Sequence, residues 1–86
     1  MIEAVYNRGK KTLSVHGHSG YAPRGRDIVC AGVSTLVYTL INSTECVIDG
    51  ETVTVKGNGV ILDAVVCGLN MIAEKFPENL LVKEEK

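Results

Sequence analysis

The sequence predicts an α+β fold, with two helices packed on one face of a mostly antiparallel sheet in the order ββαββαβ. Three observations carry that expectation: short runs of strictly alternating residues, two longer apolar stripes at helical spacing, and turn-forming residues between them. At 86 residues the chain suffices for a single domain, expected to span residues 1–86, with one modest core. Ile2, Ala4 and Tyr6 alternate with Glu3, Val5 and Asn7, and Leu13 and Val15 alternate with Thr12, Ser14 and His16. Arg8-Gly9-Lys10-Lys11 separates the two runs as a turn, so residues 2–17 read as a β-hairpin.

From Gly17 to Arg26 the pattern dissolves into a loop with Gly20, Pro23 and Gly25. Asp27 then offers an N-cap, and Ile28, Val29, Val33, Leu36, Val37, Leu40 and Ile41 recur at helical spacing, which predicts a helix to about residue 43. Gly32 lies inside it at a cost of about 1 kcal/mol against alanine, so close packing is expected there. Cys46-Val47-Ile48 and Thr52-Val53-Thr54-Val55 flank Asp49-Gly50, a favourable type I′ hairpin turn. Asn58 and Gly59 open a second helix, whose stripe is Ile61, Leu62, Val65, Leu69, Ile72 and Phe76 and which ends at Pro77. Leu80-Leu81-Val82 reads as a last short strand before a charged tail.

Composition narrows the function classes. Hydrophobic residues make up 45% and charged residues 22%, with a net charge of −1. No clustered Lys and Arg invite a nucleic-acid backbone. No apolar run reaches the roughly 18 residues of a membrane span, and the first residues lack the layout of a secretion signal. A cytoplasmic protein is the expectation. Three cysteines, an odd number with no Cys-x-x-Cys among them, suggest no disulfide framework. Cys46 and Cys67 read as inert interior packing.

Cys30 is different. With Asp27 as N-cap it takes the third helical position, where unpaired N–H groups and the helix dipole favour a thiolate over a thiol. His18 leaves the second strand at the other end of the loop, and folding of that loop brings the two side chains together. A thiol at a helix N-terminus beside an imidazole base is the arrangement of thiol acyl transfer. Backbone N–H groups near residues 29 to 31 would then steady the oxyanion. Asp27 reads first as a cap accepting the N–H of Cys30 or Val29, and alternatively as a group that orients His18. Ser34, one turn after Cys30, reads either as a small packing residue or as a hydrogen-bond partner of His18 or the thiolate.

In the loop, Gly20 and Gly25 give shape and hinges, Tyr21 would line a pocket for an apolar substrate side chain, and Arg24 and Arg26 would hold a substrate carbonyl or carboxylate. His16 reads as a surface residue. Two rival readings stand beside the dyad. A catalytic zinc would use His16, His18 and Cys30, although their spacing fits no common zinc pattern. A non-enzymatic homodimeric binding module would leave Cys30 as packing.

Gly17-His18-Ser19, followed by Gly25-Arg26-Asp27-Ile28-Val29-Cys30-Ala31-Gly32-Val33-Ser34, closely resembles the ribosomal-processing cysteine proteases. Their signature is Gly-His-Ala, a variable Gly-containing loop, then Gly-x-Asp-Ile-Val-Cys-Ala-x-x-Ser. The close match covers residues 17–36, and Ser19 replaces the usual alanine. The resemblance implies an endopeptidase that removes an N-terminal extension from a large-subunit ribosomal protein, with His18 and Cys30 catalytic and no metal or other cofactor. It further implies a homodimer and a loop that orders over the peptide substrate. The middle of this chain is short, which leaves room for a different target, such as a phage capsid protein.

Overall fold

The computed structural model describes residues 1–18, 20, 22, 27–41, 45–49, 52–57 and 59–85. Its elements follow the expected order: β1 (Ile2–Asn7), β2 (Thr12–Gly17), α1 (Ile28–Ile41), β3 (Glu45–Asp49), β4 (Thr52–Lys56), α2 (Gly59–Lys75) and β5 (Leu80–Glu85). The strands form one five-stranded mixed sheet, ordered β3-β4-β2-β1-β5. All neighbours run antiparallel except β1 and β5, which are parallel.

The alternation in β1 and β2 buries one face of the hairpin. Ile2, Ala4, Tyr6 and Leu13 are buried, and the register Ala4↔Val15 and Tyr6↔Leu13 sets them side by side. Both helices cover this face. Val29, Val33, Val37 and Leu40 of α1 and Leu62, Val65 and Leu69 of α2 join Val55 and Leu80 in a single core. At Gly32 an added Cβ would lie 3.2 Å from Ile72 Cδ1, and at Gly68 it would lie 3.0 Å from Leu36 Cδ1. The missing side chains let α1 and α2 approach closely, which is the packing reason expected for Gly32.

Three expectations are corrected. Ile28 is exposed, because the first residue of α1 precedes the turn that reaches the sheet. Helix α1 is described through Ile41, and its expected end near residue 43 lies outside the described residues. Cys67 is exposed too: Val65 and Leu69 face the core, and a residue midway between them points outward. The fifth strand is twice the expected length, running to Glu85 in register with β1 from Ile2↔Leu80 to Asn7↔Glu85. Its charged half is held by backbone pairing and by ion pairs, Glu84 with Arg8 at 2.7 Å and Lys83 with Glu3 at 3.9 Å, so apolarity is not required there. The pairing of β3 with β4 extends to Asp49↔Thr52, while the turn itself, residues 50 and 51, lies outside the described residues. Among the described residues no helix is long and apolar enough to cross a membrane.

Candidate active site

Cys30 lies where the sequence places it, in the first turn of α1, with its side chain half-buried. Asp27 caps the helix twice over. Its Oδ1 accepts the Cys30 N–H at 2.8 Å, and its backbone carbonyl accepts the Ala31 N–H at 3.0 Å. The carboxylate thereby fixes the backbone of the candidate nucleophile and sets negative charge against the positive end of the helix dipole. Its second oxygen, Oδ2, accepts the Ala22 N–H at 3.5 Å, which ties the loop to the same anchor. The expectation that Cys30 and Ala31 steady an oxyanion is narrowed by this geometry, because both N–H groups are already engaged by Asp27.

Ser34 Oγ stands 3.9 Å from Cys30 Sγ, so of its readings the contact with the sulfur is present, in the long range of hydrogen bonds to sulfur. His18 is exposed immediately beyond the end of β2. What sets its position is Gly17, with a φ of +95°. A Cβ there would sit 2.4 Å from the Met1 carbonyl oxygen, so both the backbone angle and the space require glycine. The chain turns at Gly17 against Met1, and the imidazole of the next residue follows that turn. The role of Gly17 escaped sequence reasoning, although a glycine directly before the candidate base was a visible signal.

Gly20 has a φ of +68° and open space around its Cα, as a shape-giving loop glycine should. Ser19, Tyr21, Pro23, Arg24, Gly25 and Arg26 lie outside the described residues. His16 is a surface residue of β2, 3.5 Å from Glu3 Oε2 across the strand pair. Among the described residues no group of three His, Cys, Asp or Glu side chains is placed to hold a metal ion. His16, His18 and Cys30 therefore do not make the zinc set considered above.

The Cys30 side chain opens into a cleft of about 130 Å³ between α1 and the sheet, lined also by Val15, Gly17, Ser34, Val37, Tyr38 and Val53. Apart from His16 at its edge, this lining carries no ion-pairing side chain. A half-buried thiol on a helix N-terminus, facing an apolar cleft, is suited to receive a peptide and attack its carbonyl.

Known proteins share this fold. A 42-residue stretch is 33% identical to the ribosomal processing cysteine protease Prp of Bacillus subtilis (strain 168), covering 49% of this chain and 38% of that protein. The fold superposes on the essential ribosomal processing protease Prp of S. aureus bound to a covalently linked product peptide, at a TM-score of 0.87 and 23% identity, covering 99% of this chain and 100% of the other. The same protease with a substrate peptide gives a TM-score of 0.79 at 21% identity, with 99% and 100% coverage. SMU.848 of Streptococcus mutans gives 0.72 at 28% identity, with 98% and 93% coverage. The model of the cysteine protease Prp family matches residues 1–81, which include Gly17-His18, Asp27 to Ser34 and four of the five strands in full, and the chain belongs to that family.

Proposed function

We propose that this chain is a cysteine endopeptidase that removes the N-terminal extension of a large-subunit ribosomal protein, acting in the cytoplasm as a homodimer. The observation that carries the reading is the placement of Cys30, capped by Asp27 and opening into an apolar cleft whose rim is the Gly17 end of β2. Family membership and the peptides bound to similar structures support the same chemistry.

In this mechanism His18 takes the Cys30 proton and the thiolate attacks the scissile carbonyl. The tetrahedral intermediate collapses to a thioester, and the leaving amine takes its proton from the imidazolium. Water, deprotonated by His18, then hydrolyses the thioester and restores the thiol. Asp27 acts through the Cys30 backbone, and Ser34 through contact with the sulfur.

The test offers the N-terminal tail of the same organism's ribosomal protein to wild type and to Cys30→Ala. Wild type is expected to cut the tail once, and Cys30→Ala to bind it uncut, with a loss of at least about 10³-fold in rate. If both leave the tail intact, the substrate assignment fails. Iodoacetamide labelling at neutral pH tests the chemistry separately, with the exposed Cys67 as an internal control. Cys30 should react faster than Cys67, and His18→Ala should remove that advantage.

A further inference from the structure

Ile2 opens β1, and its N–H turns away from β2. It donates to the Asn79 carbonyl at 2.9 Å, on the β5 side of the strand. In a trans peptide the carbonyl points opposite to the N–H, which sends the Met1 carbonyl toward β2. There it meets Gly17, the register partner of Ile2, so closely that only glycine fits. The antiparallel pattern agrees. When a residue's N–H faces away from its partner strand, the carbonyl before it faces the residue after its partner. For the pair Ile2↔Gly17 that residue is His18.

The Asn79 end of this link is firmly built. The N–H groups of Asn79 and Leu80 both donate to the Phe76 carbonyl, at 3.0 and 3.2 Å, and the Phe76 N–H returns to Ile72 at 2.9 Å. Leu80 and Ile2 are both buried, so the corner between α2 and β5 and the start of β1 are anchored in the core. At the other end Gly17 has no side chain and His18 is exposed, so the direction in which the chain leaves β2 rests on its backbone.

Building on the protease reading, we propose that the Met1–Ile2 peptide group is a positioning element for His18, joining the α2–β5 corner to the backbone that carries the base. Asn79 holds its N–H, and its carbonyl holds the backbone of Gly17 and His18. The group touches no reacting atom and acts through His18 alone. Proton transfer from Cys30 needs hydrogen-bond reach, so a displacement of the imidazole by about 1 Å slows it. The Met1 side chain, 53% exposed, takes no part.

Amide-to-ester exchange at single bonds tests this. Ligation of a synthetic 1–29 thioester to residues 30–86, which begin with Cys30, gives the full chain with its native thiol. The all-amide chain is compared with Met1→Ala and with two esters, one replacing the Ile2 N–H by oxygen and one replacing the His18 N–H. The first ester removes the donor to Asn79 and weakens the Met1 carbonyl as an acceptor, while the second leaves the Asn79 bond in place. Readouts are cleavage of the ribosomal-protein tail and iodoacetamide alkylation of Cys30 at neutral pH, both per folded molecule. Each ester should lower kcat about tenfold with KM within about twofold, and slow alkylation about threefold or more. Met1→Ala should stay within about twofold on both. A bond that serves stability alone would change only the folded fraction. Esters within twofold of the all-amide chain, or Met1→Ala as impaired as the esters, overturn the positioning role and leave the protease standing. If the all-amide chain cuts no tail, the protease reading fails and the alkylation rates alone decide whether the peptide group positions His18.

Discussion

At the end of the sheet where β1 leaves Asn7, side chains from four elements or their edges lock together. Tyr6 donates its hydroxyl to Asp63 Oδ1 at 2.7 Å, and Arg8 reaches both Asp63 at 2.9 Å and Glu84 at 2.7 Å while its guanidinium lies 5.1 Å from the Tyr6 ring centroid. At the opposite end, where β2 leaves Gly17, the described contacts are of another kind: one carboxylate on two backbone N–H groups, a serine at long range from a sulfur, and an apolar cleft. The first end joins β1, α2 and β5 with polar contacts, beside a shallow surface pocket that Cys67 lines. The second sets Cys30 in the wall of a mostly apolar cleft. Polar side-chain links gather at one end, and the candidate nucleophile lies at the other.

That contrast is breakable in three graded ways. Gly17→Ala should have the largest effect. It forces a Cβ against the Met1 carbonyl at a positive φ, which should lower unfolding stability by about 1–3 kcal/mol in denaturant melts and cut peptide turnover more than stability loss alone explains. Turnover that falls only in proportion to the folded fraction would show that Gly17 does not position His18.

Asp27→Ala comes next. Loss of the cap should cost about 1 kcal/mol of stability and slow Cys30 alkylation, whereas Asp27→Asn, which still accepts the Cys30 N–H, should recover most of the stability. Equal alkylation rates in wild type and Asp27→Ala would confine Asp27 to a structural role.

Tyr6→Phe at the far end should have the smallest effect, about 1 kcal/mol of stability and none on turnover per folded molecule. Its signature is in pH. The hydrogen bond to Asp63, then burial, hold the Tyr6 phenol above its ordinary range, so the folded state keeps a proton that the unfolded chain loses. That stabilisation is complete below about pH 10 and disappears as pH rises through the folded value, so the advantage of wild type over Tyr6→Phe should shrink in alkaline melts. A constant difference would remove the Tyr6–Asp63 bond from the account. The exposed ion pairs of Arg8 should contribute little to stability and fade with salt.

The sequence was informative where periodicity and capping speak directly. Both hairpin strands, the start of each helix and the cap on Cys30 were legible because alternation, helical spacing and Asp27 each have one physical meaning. Gly32 foretold the helix contact with Ile72. The Tyr6–Arg8–Asp63–Glu84 cluster was not legible, since its members are up to 78 residues apart in number and meet only once β5 lies beside β1. For the same reason the alternation of β5 was masked: its outer half is held by cross-strand charge, and a charged run in isolation reads as solvated. The cleft residues Tyr38 and Val53 were hidden because a partly exposed aromatic or valine looks like ordinary surface until two elements are placed together.

The parallel pairing of β1 with β5 also dictates when this fold can close. Ile2 donates its N–H to the Asn79 carbonyl at 2.9 Å, and Leu80 is a buried member of the core, so β1 is flanked on one side by a segment nearly eighty residues downstream. During synthesis the hairpin β1–β2 and helix α1 emerge first, with Cys30 and His18 already made, yet one flank of β1 stays open until residues 80–85 leave the ribosome. Closure of so distant a contact is entropically slow and cooperative. A nascent chain therefore carries Cys30 through the synthesis of some fifty further residues without the closed sheet that supports it, and β5 is the strand that completes the sheet.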